Sequence, residues 1–173
     1  MYVSLLVSAI LMTAPAAQTK PADAKPAAQT KPADAKPAGQ TKPAASSAVR
    51  TVEIMATDDM KYSVTEIPAK AGETLRIRLV SKGTLPKIAM AHNVVVLKAG
   101  AKQADFANAA ALARATDYIP TEMKDQVIGA STMAGPGETV EVTVKIPAAG
   151  TYPYICTFPG HFAAGMRGTI TAK

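Results

Sequence analysis

Six short runs of the chain place apolar and polar residues in strict or near alternation: VRTVEIMA (49–56), TLRIRLV (74–80), HNVVVL (92–97), TVEVTVKI (139–146), TYPYIC (151–156) and RGTITAK (167–173). Successive side chains of a strand point to opposite faces, so a period of two means one face buried and one wet. Turn-formers punctuate the runs at Ala71-Gly72, Lys82-Gly83, Gly135-Pro136-Gly137 and Ala149-Gly150. Such a pattern cannot bury itself as a helix, and a single sheet would leave its apolar face exposed. An all-β fold with two sheets packed as a β-sandwich satisfies it. Residues 102–115 break the pattern: they are Ala-rich, with Phe106, Ala109, Ala110 and Ala113 at helical spacing. This predicts one helix inserted in a long connection between two strands.

The alternation begins only at Val49. Of 173 residues, 48% are hydrophobic, enough for one well-buried domain at residues 49–173. The apolar run YVSLLVSAILM (2–12) and the small residues after it read as a signal peptide or N-terminal hydrophobic segment over residues 1–17. The run is shorter than the roughly 20 residues that span a bilayer, which favours an export signal over an anchor, although no Lys or Arg precedes Lys20. Residues 15–42 then repeat PAAQTK, PADAK, PAAQTK, PADAK, PAGQTK. Regular Pro removes backbone donors, and Ala, Lys and Gln offer no face to bury, so residues 18–48 are predicted to be a disordered Pro/Ala/Lys linker. At about 3.1 Å per residue the repeat reaches on the order of 100 Å when extended, enough to hold a domain off a membrane through an N-terminal tether.

The formal net charge is +6, half of it contributed by five Lys and two Asp of the repeat. No basic run carries interleaved aromatics, which argues against nucleic acid as a partner.

The chain holds one Cys and two His, and CTFPGHFAAGM (156–166) gathers Cys156, His161 and Met166 onto the connection between two predicted strands. Pro159 and Gly160 let that loop turn sharply. His92, the other imidazole, opens the predicted strand HNVVVL. A lone Cys is usually a small buried hydrophobe and a lone His a surface or satisfied core residue. Together, two imidazoles, one thiolate and one thioether are the donors that bind copper in a His2Cys plane with a weak axial Met. Thiolate and thioether suit Cu(I) and imidazole suits Cu(II), so such a site can pass an electron with little rearrangement. A Cys-His nucleophile is the enzymatic alternative. No Asp, Asn or Glu in the loop orients His161, however, and Met166 has no part in that chemistry, so no enzyme is predicted. A copper carrier or storage module without redox turnover is the other alternative, for which open, Met-rich clusters would be expected. Met60, Met90, Met123 and Met133 have no ligand-like context and read as packing or surface.

Met90-Ala91-His92-Asn93, the Lys82-Gly83-Thr84-Leu85-Pro86-Lys87 segment before it, CTFPGH, and Gly168-Thr169 together resemble azurin-like and auracyanin-like blue copper proteins of the cupredoxin family. The resemblance covers essentially residues 49–173. It implies a Greek-key sandwich of about eight strands holding one type 1 copper ion, with His92, Cys156 and His161 in the plane and Met166 axial. It also implies hydrogen bonds from Asn93 and the Phe158 backbone around the Cys156 sulfur. Four residues separate His161 from Met166, as in auracyanin and plastocyanin, whereas azurin has three. Ala91 stands where azurin has a glycine whose carbonyl approaches copper, so Ala91 is the candidate for that distant contact. Azurin's disulfide and buried tryptophan have no counterpart here.

By the same resemblance the function is electron transfer by a Cu(II)/Cu(I) cycle, and the export signal places it in the periplasm or another extracytoplasmic compartment. Redox proteins such as a c-type cytochrome or a membrane oxidoreductase or oxidase are the implied partners. His161 is expected at the surface as the electron's exit, within a docking patch of Leu85, Met90, Phe158, Phe162 and Met60.

Overall fold

The computed structural model describes residues 49–173; the expected signal segment and linker lie outside the described residues. Eight strands and one α-helix follow in order: β1 (Arg50–Ala56), β2 (Glu66–Ala69), β3 (Thr74–Ser81), β4 (Val95–Leu97), α1 (Gln103–Leu112), β5 (Val127–Ala130), β6 (Thr139–Lys145), β7 (Gly150–Ile155) and β8 (Arg167–Ala172). They form a three-stranded sheet in the order β1-β3-β6 and a five-stranded sheet in the order β2-β8-β7-β4-β5. β1 runs parallel to β3 and β2 parallel to β8, with the remaining pairs antiparallel. The architecture is the all-β, two-sheet sandwich expected from the alternation, with strands out of chain order in the Greek-key manner.

Leu75, Ile77 and Leu79 of β3, Ile54 of β1 and Val142 and Val144 of β6 face Ile67, Val94, Val96, Tyr152, Tyr154 and Ile170 across the sandwich in one continuous buried cluster. Each such side chain contributes roughly 1.5–3 kcal/mol on burial. Neighbouring strands also pack closely where a side chain is absent. A Cβ on Gly168 would sit 2.2 Å from the ring of Tyr154, its cross-strand partner, whose hydroxyl donates to the Val64 carbonyl at 2.6 Å.

A second cluster lies on the outer face of the five-stranded sheet, where Val95, Leu97 and Ile155 pack under Phe106 and Ala110 of α1. β4 and β7 are therefore covered on both faces, so HNVVVL departs from the alternation expected of it: its VVVL stretch is continuously apolar and buried. The predicted helix over 102–115 is realised as Gln103–Leu112 followed by a 3-10 turn, Arg114–Thr116. Its buried side is set by Phe106 and Ala110, while Leu112 is exposed.

Two boundaries and two short strands differ from the sequence expectation. His92 does not open a strand: it forms an isolated bridge with Ala134, and β4 begins only at Val95. β7 ends at Ile155, one residue before Cys156. β2 and β5 escaped the alternation because each is four residues long, too short to show a period.

Candidate metal centre

The register of β4 against β7 pairs Val95 with Ile155 and Val96 with Tyr154. Followed towards the same end of the sheet, that register sets Val94 beside Cys156 and Asn93 beside Thr157. Side chains complete the pairing: the Thr157 amide donates to Asn93 Oδ1 at 2.9 Å, and Asn93 Nδ2 donates to Thr157 Oγ1 at 2.8 Å. The residue before Asn93 and the residue before Thr157 are His92 and Cys156. A sandwich end thus brings together two residues 64 positions apart.

The segment carrying His92 is strapped from its other side. His92 and Ala134 exchange backbone hydrogen bonds of 2.9 and 2.7 Å. The Val94 amide donates to Ser131 Oγ at 3.0 Å, and the Ser131 amide to the Val94 carbonyl at 3.0 Å. The 156–166 loop closes on itself. The Cys156 amide donates to the Met166 carbonyl at 3.1 Å, the Met166 amide to the His161 carbonyl at 2.9 Å, and the His161 amide to the Phe158 carbonyl at 3.1 Å. Gly160 and Gly165 take positive φ, +85° and +96°, which lets the loop fold back so tightly. Phe158 is shared with the inserted segment: its ring centroid lies 4.8 Å from that of His161 and 5.4 Å from that of Tyr118.

The donor atoms of His92, Cys156 and His161 all lie within 4.8 Å of one another, on the scale of twice a metal–ligand bond of about 2.0–2.3 Å. Cys156 Sγ is 3.4 Å from His161 Nδ1 and 3.9 Å from the carbonyl oxygen of Ala91. His92, Cys156 and Met166 are fully buried, and His161 is 2% exposed. The expectation that His161 stands at the surface is corrected: Phe158 on one side and His92, at a ring distance of 5.0 Å, on another shut it in.

Burial sets the protonation states. It pushes the Cys156 thiol up to about 12, opposed by the backbone amides of Asn93 and Phe158, which favour the thiolate. These are the two residues expected around the sulfur, and both act through the main chain. Burial, assisted by the charge of His92, lowers His161 to about 4, and burial also lowers His92. Both imidazoles are neutral at neutral pH, as metal ligation requires.

The residues fit a metal. Neither ring nitrogen of His92 has a hydrogen-bond partner, although both are shut from solvent. Such orphaned buried polar atoms are costly and call for an occupant. A soft, buried thiol beside two neutral imidazoles suits copper better than a hard cation.

The family model of copper binding proteins, plastocyanin/azurin family, matches residues 49–173. The chain belongs to this family. Auracyanin-A of Chloroflexus aurantiacus is 39% identical over 126 residues, covering 71% of this chain and 74% of that protein. Azurin-2 of Alcaligenes xylosoxydans xylosoxydans is 37% identical, covering 69% and 93%. The solved structure of auracyanin A, described as a "blue" copper protein, covers 71% of this chain and 98% of its own at 36% identity, with a TM-score of 0.63. Dithionite-reduced auracyanin from Roseiflexus castenholzii covers 71% and 96% at 31% identity, with a TM-score of 0.63.

As a member of the plastocyanin/azurin family, the protein is a copper electron carrier with a single type 1 centre, and His92, Cys156, His161 and Met166 form its candidate site. Sequence reasoning missed the outer supports. Tyr62, whose buried hydroxyl donates to the Asn93 carbonyl, and Ser131, whose hydroxyl accepts the Val94 amide, carry no local signal, because each reaches the site only through tertiary contact. Thr157 was visible inside CTFPGH, but its pairing with Asn93 was not.

Proposed function

We propose that this chain is an extracytoplasmic electron carrier in which His92, Cys156, His161 and Met166 would hold copper, with the Ala91 carbonyl oxygen, 3.9 Å from Cys156 Sγ, beside them. The observation that carries the reading is the cluster of one thiol and two neutral imidazoles, buried within 4.8 Å of one another, with His92 unpartnered at both nitrogens. Copper in such a set supplies a one-electron Cu(II)/Cu(I) couple. The protein keeps the donors in place between the two states: the loop's internal hydrogen bonds and the Asn93–Thr157 pairing leave little to reorganise. With one anionic donor against two neutral ones, burial favours the lower total charge and so raises the reduction potential, and the two amides at the sulfur act in the same direction. The relatives described as a "blue" copper protein and as dithionite-reduced support redox use of the site.

Electrons pass at the apolar end of the sandwich around His161. Leu85 is 45% exposed there and Ile88 75%, with Met90, Phe158 and Phe162 half-buried; of these, Ile88 was absent from the expected patch. A small apolar face suits brief encounters, here with a redox protein such as a c-type cytochrome or a membrane oxidoreductase. Among the described residues no helix is long and apolar enough to cross a membrane. Residues 1–17 serve as the export signal or tether and residues 18–48 as the spacer.

The test is an optical titration of the purified protein with Cu(II), before and after ascorbate, beside Cys156→Ser. A strong visible thiolate-to-copper band that bleaches on reduction, returns on reoxidation and is missing in the variant is expected. A colourless protein that binds no copper would sink the reading.

A further inference from the structure

Residues 160–165 carry the chain from His161 towards Met166, and their backbone hydrogen bonds stay within the loop. The Ala164 amide donates to the Gly160 carbonyl at 3.0 Å and the Gly165 amide to the Phe162 carbonyl at 2.9 Å. Among the described residues, one hydrogen bond ties this stretch to a segment outside residues 156–167: the Lys61 ammonium donates to the Ala164 carbonyl. Gly165 leaves room for it, since a Cβ there would lie 2.7 Å from Lys61 Nζ. The next residue, Tyr62, reaches the other half of the metal centre. Its hydroxyl donates to the carbonyl of Asn93, the residue that follows His92 and pairs with Thr157. Tyr62 is buried, and its ring packs on Tyr154 at a centroid distance of 5.5 Å.

Two consecutive side chains thus grip two segments of the centre that are far apart in sequence. The hairpin that bears them is itself braced. Ala56, the last residue of β1, bridges to Tyr62, and Met60 turns the chain at φ +55° with its amide donating to the Thr57 carbonyl at 3.0 Å. At the foot, the Ser63 amide donates to the Met55 carbonyl at 2.9 Å and the Met55 amide to Ser63 Oγ at 2.8 Å. At the tip, Asp58 Oδ2 accepts the Thr84 amide at 2.8 Å and the Thr84 hydroxyl at 2.9 Å. A side chain rooted in a fixed backbone gives up less freedom when it makes a bond than one on a loose loop. The bond from Lys61 is also charge-assisted, and so stronger than a neutral one.

We propose that Lys61 and Tyr62 are positioning residues of the metal centre: Lys61 holds the turn before Met166, Tyr62 holds the segment of His92, and the hairpin between them sets the spacing of the two before any metal arrives. Donors held in place beforehand need no ordering when a metal binds and little rearrangement when its charge changes. The consequence for copper rests on the electron-carrier reading; the clasp itself does not.

The test is amide hydrogen exchange, followed by 15N-resolved NMR on the metal-free protein, in Lys61→Leu, Lys61→Arg and Tyr62→Phe. Lys61→Leu is expected to speed exchange of the Ala164, Gly165 and Met166 amides by about 3–10-fold and to leave the His92 and Thr157 amides as they were. Lys61→Arg keeps a charged donor and should restore the parent rates. Tyr62→Phe should do the converse, freeing the His92 and Thr157 amides and sparing Gly165. In the Cu(I) form the Met166 methyl is expected to give one sharp 13C resonance in the unaltered protein and a broadened or split one in Lys61→Leu. Unchanged exchange at Ala164, Gly165 and Met166 in Lys61→Leu would overturn the assignment, and so would an equal rise at every amide in either variant. Lys61 lies at the surface, so its variants decide the matter even where Tyr62→Phe fails to fold. An unaltered protein that takes up no copper would instead sink the electron-carrier reading, and exchange in the metal-free form would still decide the clasp.

Discussion

Cys156 Sγ and His161 Nδ1 face each other at 3.4 Å in a pocket that solvent barely reaches. The thiol titrates near 12 and the imidazole near 4, so across the physiological range both are neutral and the site carries one removable proton. Metal binding must expel that proton from Cys156 and none from the histidines. Affinity for Cu(I) or Zn(II) is therefore expected to rise about tenfold per pH unit between roughly pH 7 and 9. Calorimetry in buffers of different ionisation enthalpy should register one proton released per metal bound, and zero or two would contradict the assignment.

The same shifts set the pH stability of the metal-free protein. His161 is harder to protonate folded than unfolded, so the unfolded chain gains its proton first as pH falls. The His161 contribution to stability is expected to decline from about pH 6.5 to about pH 4 and then level off; at roughly 1.4 kcal/mol per pKa unit, its loss is about 3 kcal/mol. Above about pH 9 the unfolded thiol ionises while the folded one does not, and stability should fall again. Urea midpoints of metal-free protein at pH 4, 7 and 10 check both limbs.

Asn93→Ala removes the amide that exchanges hydrogen bonds with Thr157 and strands a buried amide and hydroxyl. At about 1–3 kcal/mol per unsatisfied buried group, a loss of roughly 2–6 kcal/mol is expected in denaturant titration. The visible band should weaken in step, since the same pairing aligns His92 with Cys156. A variant as stable as the parent would mean that water replaces the side chain.

Gly168→Ala drives a methyl into the Tyr154 ring. Overpacking of this kind costs about 1–3 kcal/mol or more. In a double-mutant cycle with Tyr154→Leu the added methyl should cost clearly less. Equal costs in both backgrounds would place the strain at the Thr65 carbonyl instead, 2.7 Å from the same Cβ.

Leu85→Glu and Ile88→Glu place charge on the apolar end without touching a ligand. Electron exchange with a protein partner is expected to slow by an order of magnitude or more at fixed ionic strength, while the potential and spectrum stay put. Unchanged rates would move the docking face elsewhere.

Alternation in VRTVEIMA, TLRIRLV and TVEVTVKI determined the sandwich, because a period of two has one physical use. The donor set in CTFPGHFAAGM determined the chemistry, because loop length alone forces Cys156, His161 and Met166 together. The position of His92 could be expected only by chemical complementarity. It is the β4–β7 register, extended by Asn93 and Thr157, that carries it to Cys156, and registers between distant strands depend on how whole faces pack. β2, β5 and the inward tilt of His161 were likewise decided in three dimensions, the last by Phe158 closing over the ring. Lys61 and Tyr62 show the limit most plainly. Polar side chains beside a surface turn look solvated in sequence, and only the fold sets Lys61 against the Ala164 carbonyl and Tyr62 against that of Asn93.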